Sequence, residues 1–333
     1  MAEEWKNVLS AYIEQQNREE VDYRPHGGPT VVTDLDYLVQ RGARRARMEA
    51  WYADRGAKPL RSETRAKLLG ETQILPNEVE VELQLRRKII YRKGGIRHRE
   101  ERIDRQWLNL LRDGSGWLIE RVRQEVPERH PVRVSSAEFG DEVRRSEGGA
   151  PFLNQEVLGG GRPSRRPAYR REEAVLYADR WWDSFNPEFA AFEVDCTNYI
   201  SQCLFAGGAP INYTGKRESG WWYKGYIGSK EAWSYSWAVS NSLEGYLSSS
   251  RTGLQAVPVE RAEELELGDV IIYDWDGNGA FQHSTIVTAF DAGGMPLVNA
   301  HTTSSRHRYW DYKDSYAWTE NTVYRFFHIP DRF

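Results

Sequence analysis

The sequence predicts an α+β protein built as two successive parts, and three observations carry the prediction. Hydrophobic spacing switches near residue 78 from a helical period to strict alternation. Residues 136 to 166, rich in Gly, Arg and Glu, lose apolar period altogether. After residue 167, helices give way to a closing run of antiparallel strands.

In the first part, Trp5, Val8, Leu9, Tyr12 and Ile13 recur at helical spacing. An arginine-rich stretch from about 35 to 70 contains few breakers and predicts a second helix. "NEVEVELQLRRKIIYRKGG" then sets Val79, Val81, Leu83 and Leu85 against charged neighbours, as in a half-buried strand. Gly94-Gly95 supplies a turn, and two further strands follow, joined at Asp113-Gly114. Two helices and an antiparallel meander thus predict a small α+β domain over 1–135, of unassigned role. His98 and His130, set among arginines, are expected at its surface. Residues 136–166 are expected to form a linker.

The second part, 167–333, opens with a helix whose face holds Ala174, Ala178, Trp181, Trp182 and Phe185, ended by Asn186-Pro187. The cysteine-bearing helix follows, with Gly207-Gly208 predicting a left-handed cap. An aromatic segment and a helix around "SWAVSNSLEGYL" come next. Strands are expected at about 269–273, 284–290, 296–302 and 322–328.

Composition narrows the functional classes. With 333 residues, 40% apolar and 28% charged, the chain describes a globular protein large enough for two cores. A net charge of −4 gives no bulk attraction for nucleic acid. No stretch approaches the ~20 apolar residues of a membrane helix. The acidic, amphipathic start "MAEEWKNVLSAYIEQQ" lacks the basic and apolar regions of a secretory signal, so a cytoplasmic location is expected unless a leader has been removed.

Two cysteines are few enough to read singly. Cys196 and Cys203 lie seven residues apart on one predicted helix. That is roughly 10 Å along the axis, beyond disulfide reach. Cys203 falls on the buried face and is read as packing. Cys196 occupies the first turn, where free N–H groups and the helix dipole favour a thiolate. Asp195 suits an N-cap, accepting from the N–H of Asn198, but its charge opposes ionisation of the neighbouring thiol. An imidazolium must outweigh it.

His283 is the candidate base: it follows a Gly-rich turn and opens an apolar strand, where it can face a helix N-terminus. On the next strand Asn299 and His301 lie two apart, hence on one face. Either can bond the second ring nitrogen of His283 and fix its tautomer.

With these residues in place, the motifs "YADRWW", "DCTNYISQCLFAGG", "GWWY", "SYSW", "GDVIIYDWDGNGAFQHSTIVT" and "NAHTTSSRHRYW" resemble the bacterial putative amidase domain family. That family is related to CHAP-type and NlpC-type cell-wall hydrolases of papain-like fold. The resemblance covers about 167–333. It implies a papain-like cysteine hydrolase of amide bonds, with Cys196 as nucleophile, His283 as base and His301, or Asn299 in its place, as the orienting residue. No cofactor is implied, and the partner implied is a peptide or cell-wall peptide substrate. The Cys196 backbone N–H and one unassigned donor are expected to hold the oxyanion.

Two further stretches bear on the site. In "GWWYKGYIGSKEAWSYSW" no single period accounts for every ring, so Trp221, Trp222, Tyr223 and Trp237 are candidate walls of a substrate groove, with a core-filling loop as the alternative. "DWDGNG" (Asp274, Asp276, Asn278, Gly279) matches the first half of a calcium loop, but Thr285 stands where the closing glutamate belongs. A Gly/Asp turn is the simpler reading, and no metal site is assigned. The same scaffold also fits a non-catalytic peptide-binding module, or a transamidase using the same thiol.

Overall fold

The computed structural model describes residues 4–23, 31–114, 116–129, 168–227 and 230–333. The expected linker and His130 lie outside the described residues. The chain divides into two compact units, one comprising Met1–Val126 with Tyr312–Tyr316, the other Pro127–Asp311 with Ala317–Phe333. Both mix helices with antiparallel strands.

The first unit holds α1 (Glu4–Glu19) and α2 (Leu35–Asp54) against a meander of β1 (Ala57–Leu75), β2 (Glu78–Lys93), β3 (Ile96–Asp113) and β4 (Gly116–Gln124). Neighbours pair antiparallel in chain order. The predicted alternation in β2 places Val79, Val81, Leu83 and Leu85 in a core with Trp5 and Tyr12. His98 is half-buried, its ring stacked on Tyr91 at 5.2 Å.

The expected second helix is cut short. It stops at Asp54, Gly56 turns the chain with φ +60°, and residues from Ala57 onward form a strand. "TRAKLL" has helix-forming composition, but pairing with β2 along nearly the whole of β1 overrides that local preference. Beyond Pro59 β1 buries almost nothing, so side-chain spacing leaves no strand signature there.

The second unit begins with α3 (Arg171–Trp181) and α4 (Cys196–Ala206), followed by the hairpin of β5 (Tyr223–Ile227) and β6 (Lys230–Trp233). Two helices follow, α5 (Tyr235–Ala238) and α6 (Ser240–Ser249). Its sheet contains β7 (Val257–Val259), β8 (Val270–Asp274), β9 (His283–Phe290), β10 (Pro296–Ala300), β11 (Ser305–Tyr309) and β12 (Val323–His328). Antiparallel pairing gives the order β11-β10-β9-β8-β12-β7. Among the described residues no helix is long and apolar enough to cross a membrane.

Helix α4 is the element that positions the candidate nucleophile, and its ends show why it sits where it does. Tyr199, Ile200, Cys203 and Leu204 are fully buried in the second unit's core, fixing its rotation. At the C-terminus the N–H of Ala209 donates to Leu204 (3.0 Å) and that of Gly208 to Phe205 (2.9 Å). These are the two bonds of a Schellman ending, and Gly208 supplies the left-handed residue at φ +89°. The glycine pair therefore stops the helix with its second member.

Candidate active site

Cys196 is the first residue of α4, and His283 is the first of β9, against which α4 packs. Cys196 is 1% exposed and His283 fully buried. Burial by itself pushes the thiol upward. A hydrogen bond and the charge of His283, the Ser240 hydroxyl and the Ser284 backbone together outweigh it, bringing the Cys196 thiol down to about 7 from 9.0. The structure thus brings together two residues that lie 87 positions apart in the sequence.

The imidazole is bracketed by aromatic rings. Trp275 stacks on it at 5.9 Å and 27°, and Tyr273, its cross-strand neighbour, is tilted at 5.6 Å. Trp275 is itself fixed by its indole N–H, which donates to the Glu128 carbonyl at 2.8 Å.

Beneath the thiol lies a closed ring of hydroxyls. Ser240 Oγ is 3.6 Å from Cys196 Sγ, 2.8 Å from Thr197 Oγ1 and 3.0 Å from Ser284 Oγ, and Thr197 and Ser284 are 3.1 Å apart. All three hydroxyl residues are buried. Sequence reasoning missed Ser240. Its position at the head of α6 is ordinary for a serine, and nothing local to it points toward Cys196.

Asp195 stands at the N-cap position, yet its carboxylate makes no capping bond to the helix N–H groups. Oδ1 accepts from the Phe192 N–H (3.0 Å) and the Asn198 side-chain amide (2.8 Å). Oδ2 lies 2.7 Å from His301 Nδ1. The other nitrogen of His301 is 2.7 Å from the Trp181 carbonyl, and its ring stacks on Tyr199 at 4.0 Å and 12°. Both ring nitrogens thus face oxygen atoms. His301 is therefore committed to Asp195 and Trp181 rather than to His283.

Asn299 is committed as well. Its oxygen accepts from Thr288 Oγ1 (2.8 Å) and the His307 N–H (2.9 Å), and its amide donates to Asp179 (3.0 Å). Asp179 also takes both ends of a fork from Arg306 at 2.9 and 2.8 Å. Burial pushes the Asp179 carboxyl upward, but bonds from His307, Arg306 and Asn299 hold it well below the usual range. Asn299 on β10 and His301 just past its end, both expected behind His283, thus serve two other carboxylates.

The helix N-terminus is occupied by a different residue. Thr302 Oγ1 accepts from the N–H of Asp195 and from that of Cys196, both at 3.1 Å. Thr302 holds φ +77°, a region β-branched residues seldom enter.

The four aromatic residues expected to wall a groove are instead interior. Trp221, Trp222, Tyr223 and Trp237 are at most 3% exposed. Trp237 packs on Trp221 at 4.8 Å and Tyr223 at 5.5 Å, and its N–H donates to Asn198 at 2.9 Å. Trp221 donates to Ser201 at 3.0 Å, so these indoles brace α4 from behind. Cys203 lies in the same core, its thiol pushed far up by burial.

The "DWDGNG" stretch is a turn tied to itself. Asp274 accepts from the N–H groups of Asp276, Gly277 and Gly279 at 3.2, 2.9 and 2.7 Å. Asp276 pairs with Arg129 at 2.9 Å. Among the described residues no group of three or more His, Cys, Asp or Glu is arranged to hold a metal.

The second unit is similar to known sequences. Residues 168–327 match a family model described as "Putative amidase domain". "Uncharacterized protein YhbB" of Bacillus subtilis (strain 168) is 54% identical over 163 residues, 49% of this chain and 51% of the relative. The match thus spans about half the length of that curated relative. Among solved structures, the intermembrane space region of the chloroplast protein ARC6 aligns with 36% of this chain and 92% of its own. Its 15% identity and TM-score of 0.26 carry no argument. The family match supports amide hydrolysis as the activity class of residues 168–327.

Proposed function

We propose that the second unit is a cysteine-dependent amide hydrolase of papain-like type, acting on peptide or peptidoglycan-like substrates. One observation carries the reading: a thiol at a helix N-terminus whose ionisation, despite full burial, is brought down to about 7 by the neighbouring His283. Structural cysteines in apolar surroundings shift the other way, as Cys203 does on the same helix.

In this scheme the Cys196 thiolate attacks the amide carbonyl carbon, and the carbonyl π electrons move to oxygen. His283, holding the thiol proton as imidazolium, gives it to the departing amine as the C–N bond breaks. The thioester is then attacked by water, whose proton passes to His283 and on to the released thiolate. The N–H groups of Cys196 and Asp195, which converge on Thr302 Oγ1, are suited to receive the tetrahedral oxygen once that hydroxyl withdraws. Stacking on Trp275 helps hold the His283 ring in its orientation.

The burial of Cys196 gives some support to a rival, a peptide-binding module that does not cut. One experiment separates the two: hydrolysis of a peptide amide library, read by mass spectrometry, by wild type and Cys196→Ala. Turnover abolished by the substitution, with the fold intact by circular dichroism, supports the hydrolase. Equal turnover in both proteins refutes it.

A further inference from the structure

The first unit contains a partly buried cluster of arginines beside a cavity, and its hydrogen bonding does not close. The cavity, about 30 Å³, is lined by five arginines against three carboxylates. A fourth carboxylate, Asp314, pairs with Arg102 at 2.6 Å, which still leaves one positive charge in excess. Each acid is already engaged: Glu19 by Arg41 Nε at 2.6 Å, Glu20 by Arg44 at 2.8 Å, and Asp104 by Arg87 at 2.7 Å.

Donors are left over. Arg41 spends only its Nε, and both its terminal nitrogens, Nη1 and Nη2, are buried without a partner among the described residues. Arg44 Nη2 and the Tyr23 hydroxyl, which line the same cavity, are likewise unpartnered. Unsatisfied buried donors on cations are costly, more so than neutral ones. The guanidinium of Arg41 is held by Glu19 on one side and lies over the Tyr37 ring, so its outer edge is presented as a fixed fork. Two parallel N–H groups of this kind match the two oxygens of a carboxylate or phosphate.

We propose that this cavity in the first unit binds a small oxyanion, a carboxylate or phosphate group, on the Nη1/Nη2 edge of Arg41, with Arg44 and Tyr23 as further donors. Water is the competing occupant, because a polar cavity of this size has room for it. Water, however, leaves the excess positive charge unanswered. The inference is independent of the chemistry assigned to Cys196.

The test is calorimetric titration of the full chain with inorganic phosphate, with acetate, and with an N-acetylated peptide whose sole charge is its C-terminal carboxylate. Sodium chloride at matched ionic strength is the reference. Saturable binding of phosphate, or of the carboxylate probes, beyond the chloride response is the expected result. Tighter phosphate points to a free or esterified phosphate, and tighter peptide points to a chain terminus. Arg41→Lys keeps the charge but removes the fork and should weaken binding about tenfold or more. Tyr23→Phe should weaken it several-fold, and it serves as the deciding variant if Arg41→Lys does not fold. Iodoacetamide reactivity of Cys196 should be unchanged in Tyr23→Phe. No response beyond chloride from any probe, or wild-type affinity in Tyr23→Phe and in folded Arg41→Lys, would overturn the proposal.

Discussion

His301 Nδ1 lies 2.7 Å from Asp195 Oδ2, so a histidine stands behind the carboxylate that precedes the nucleophile. This pair answers the electrostatic objection raised by an acid next to a thiol that must ionise. With a hydrogen on the ring nitrogen facing it, His301 offsets the charge of Asp195, and the negative end is drawn away from the helix N–H groups. Replacing His301 by Ala leaves Asp195 Oδ2 buried without its partner, at a cost of about 1–3 kcal/mol. It should also raise the ionisation midpoint of Cys196. Rates of iodoacetamide labelling against pH read this directly. Asp195→Asn should move the midpoint the opposite way, and a shared direction for the two variants would remove Asp195 from the account.

The thiol itself makes a prediction about stability. Its folded midpoint, about 7, is below the ordinary 9.0. A depressed folded value contributes stability that is fully present above the unfolded midpoint and is lost as pH falls through the folded one. The window is therefore roughly pH 7 to 9, and the full contribution is about 2–3 kcal/mol. Urea denaturation of wild type should gain stability over that window relative to Cys196→Ala. Parallel curves for the two proteins between pH 6 and pH 9 would show that the thiol is not depressed.

Ser240 offers a subtler perturbation of the same atom. Its hydroxyl is the hub of a ring that also contains Thr197 and Ser284, which stay paired to each other at 3.1 Å without it. Ser240→Ala should accordingly fold, lose about 1–2 kcal/mol, and shift the labelling midpoint of Cys196 upward. A midpoint identical to wild type would mean that the hydroxyls serve packing alone.

Much of this arrangement is legible in the sequence, and the limits have physical causes. Cys196 and His283 announce themselves because each sits at the lip of an element with strong local signals: an acid and a glycine pair bracketing α4, a Gly-rich turn before β9. Strand parity puts His301 and Asn299 on one face but does not give their partners. Parity cannot reveal that Asp195 and Asp179 reach those side chains first. The aromatic segment misled for a related reason: β5, β6 and α5 are short, so no period is long enough to mark Trp221 and Trp237 as core. Truncation of Trp237 tests that correction, since Trp237→Ala should cost about 3–5 kcal/mol. A groove residue would show lost binding with an unchanged melting curve.

Thr302 separates hydrogen bonding from strain at the site. Its hydroxyl satisfies two N–H groups that α4 leaves open, while its backbone holds φ +77°. Thr302→Val keeps the shape and the strain but removes the acceptor, and should destabilise by about 1–3 kcal/mol. Thr302→Ser keeps the acceptor and drops the β-branch, so it should be neutral or slightly stabilising. Thermal melts of the two variants decide between the contributions: a larger loss in Ser than in Val would place the value of Thr302 in its methyl packing and leave the N–H pair without its assigned partner.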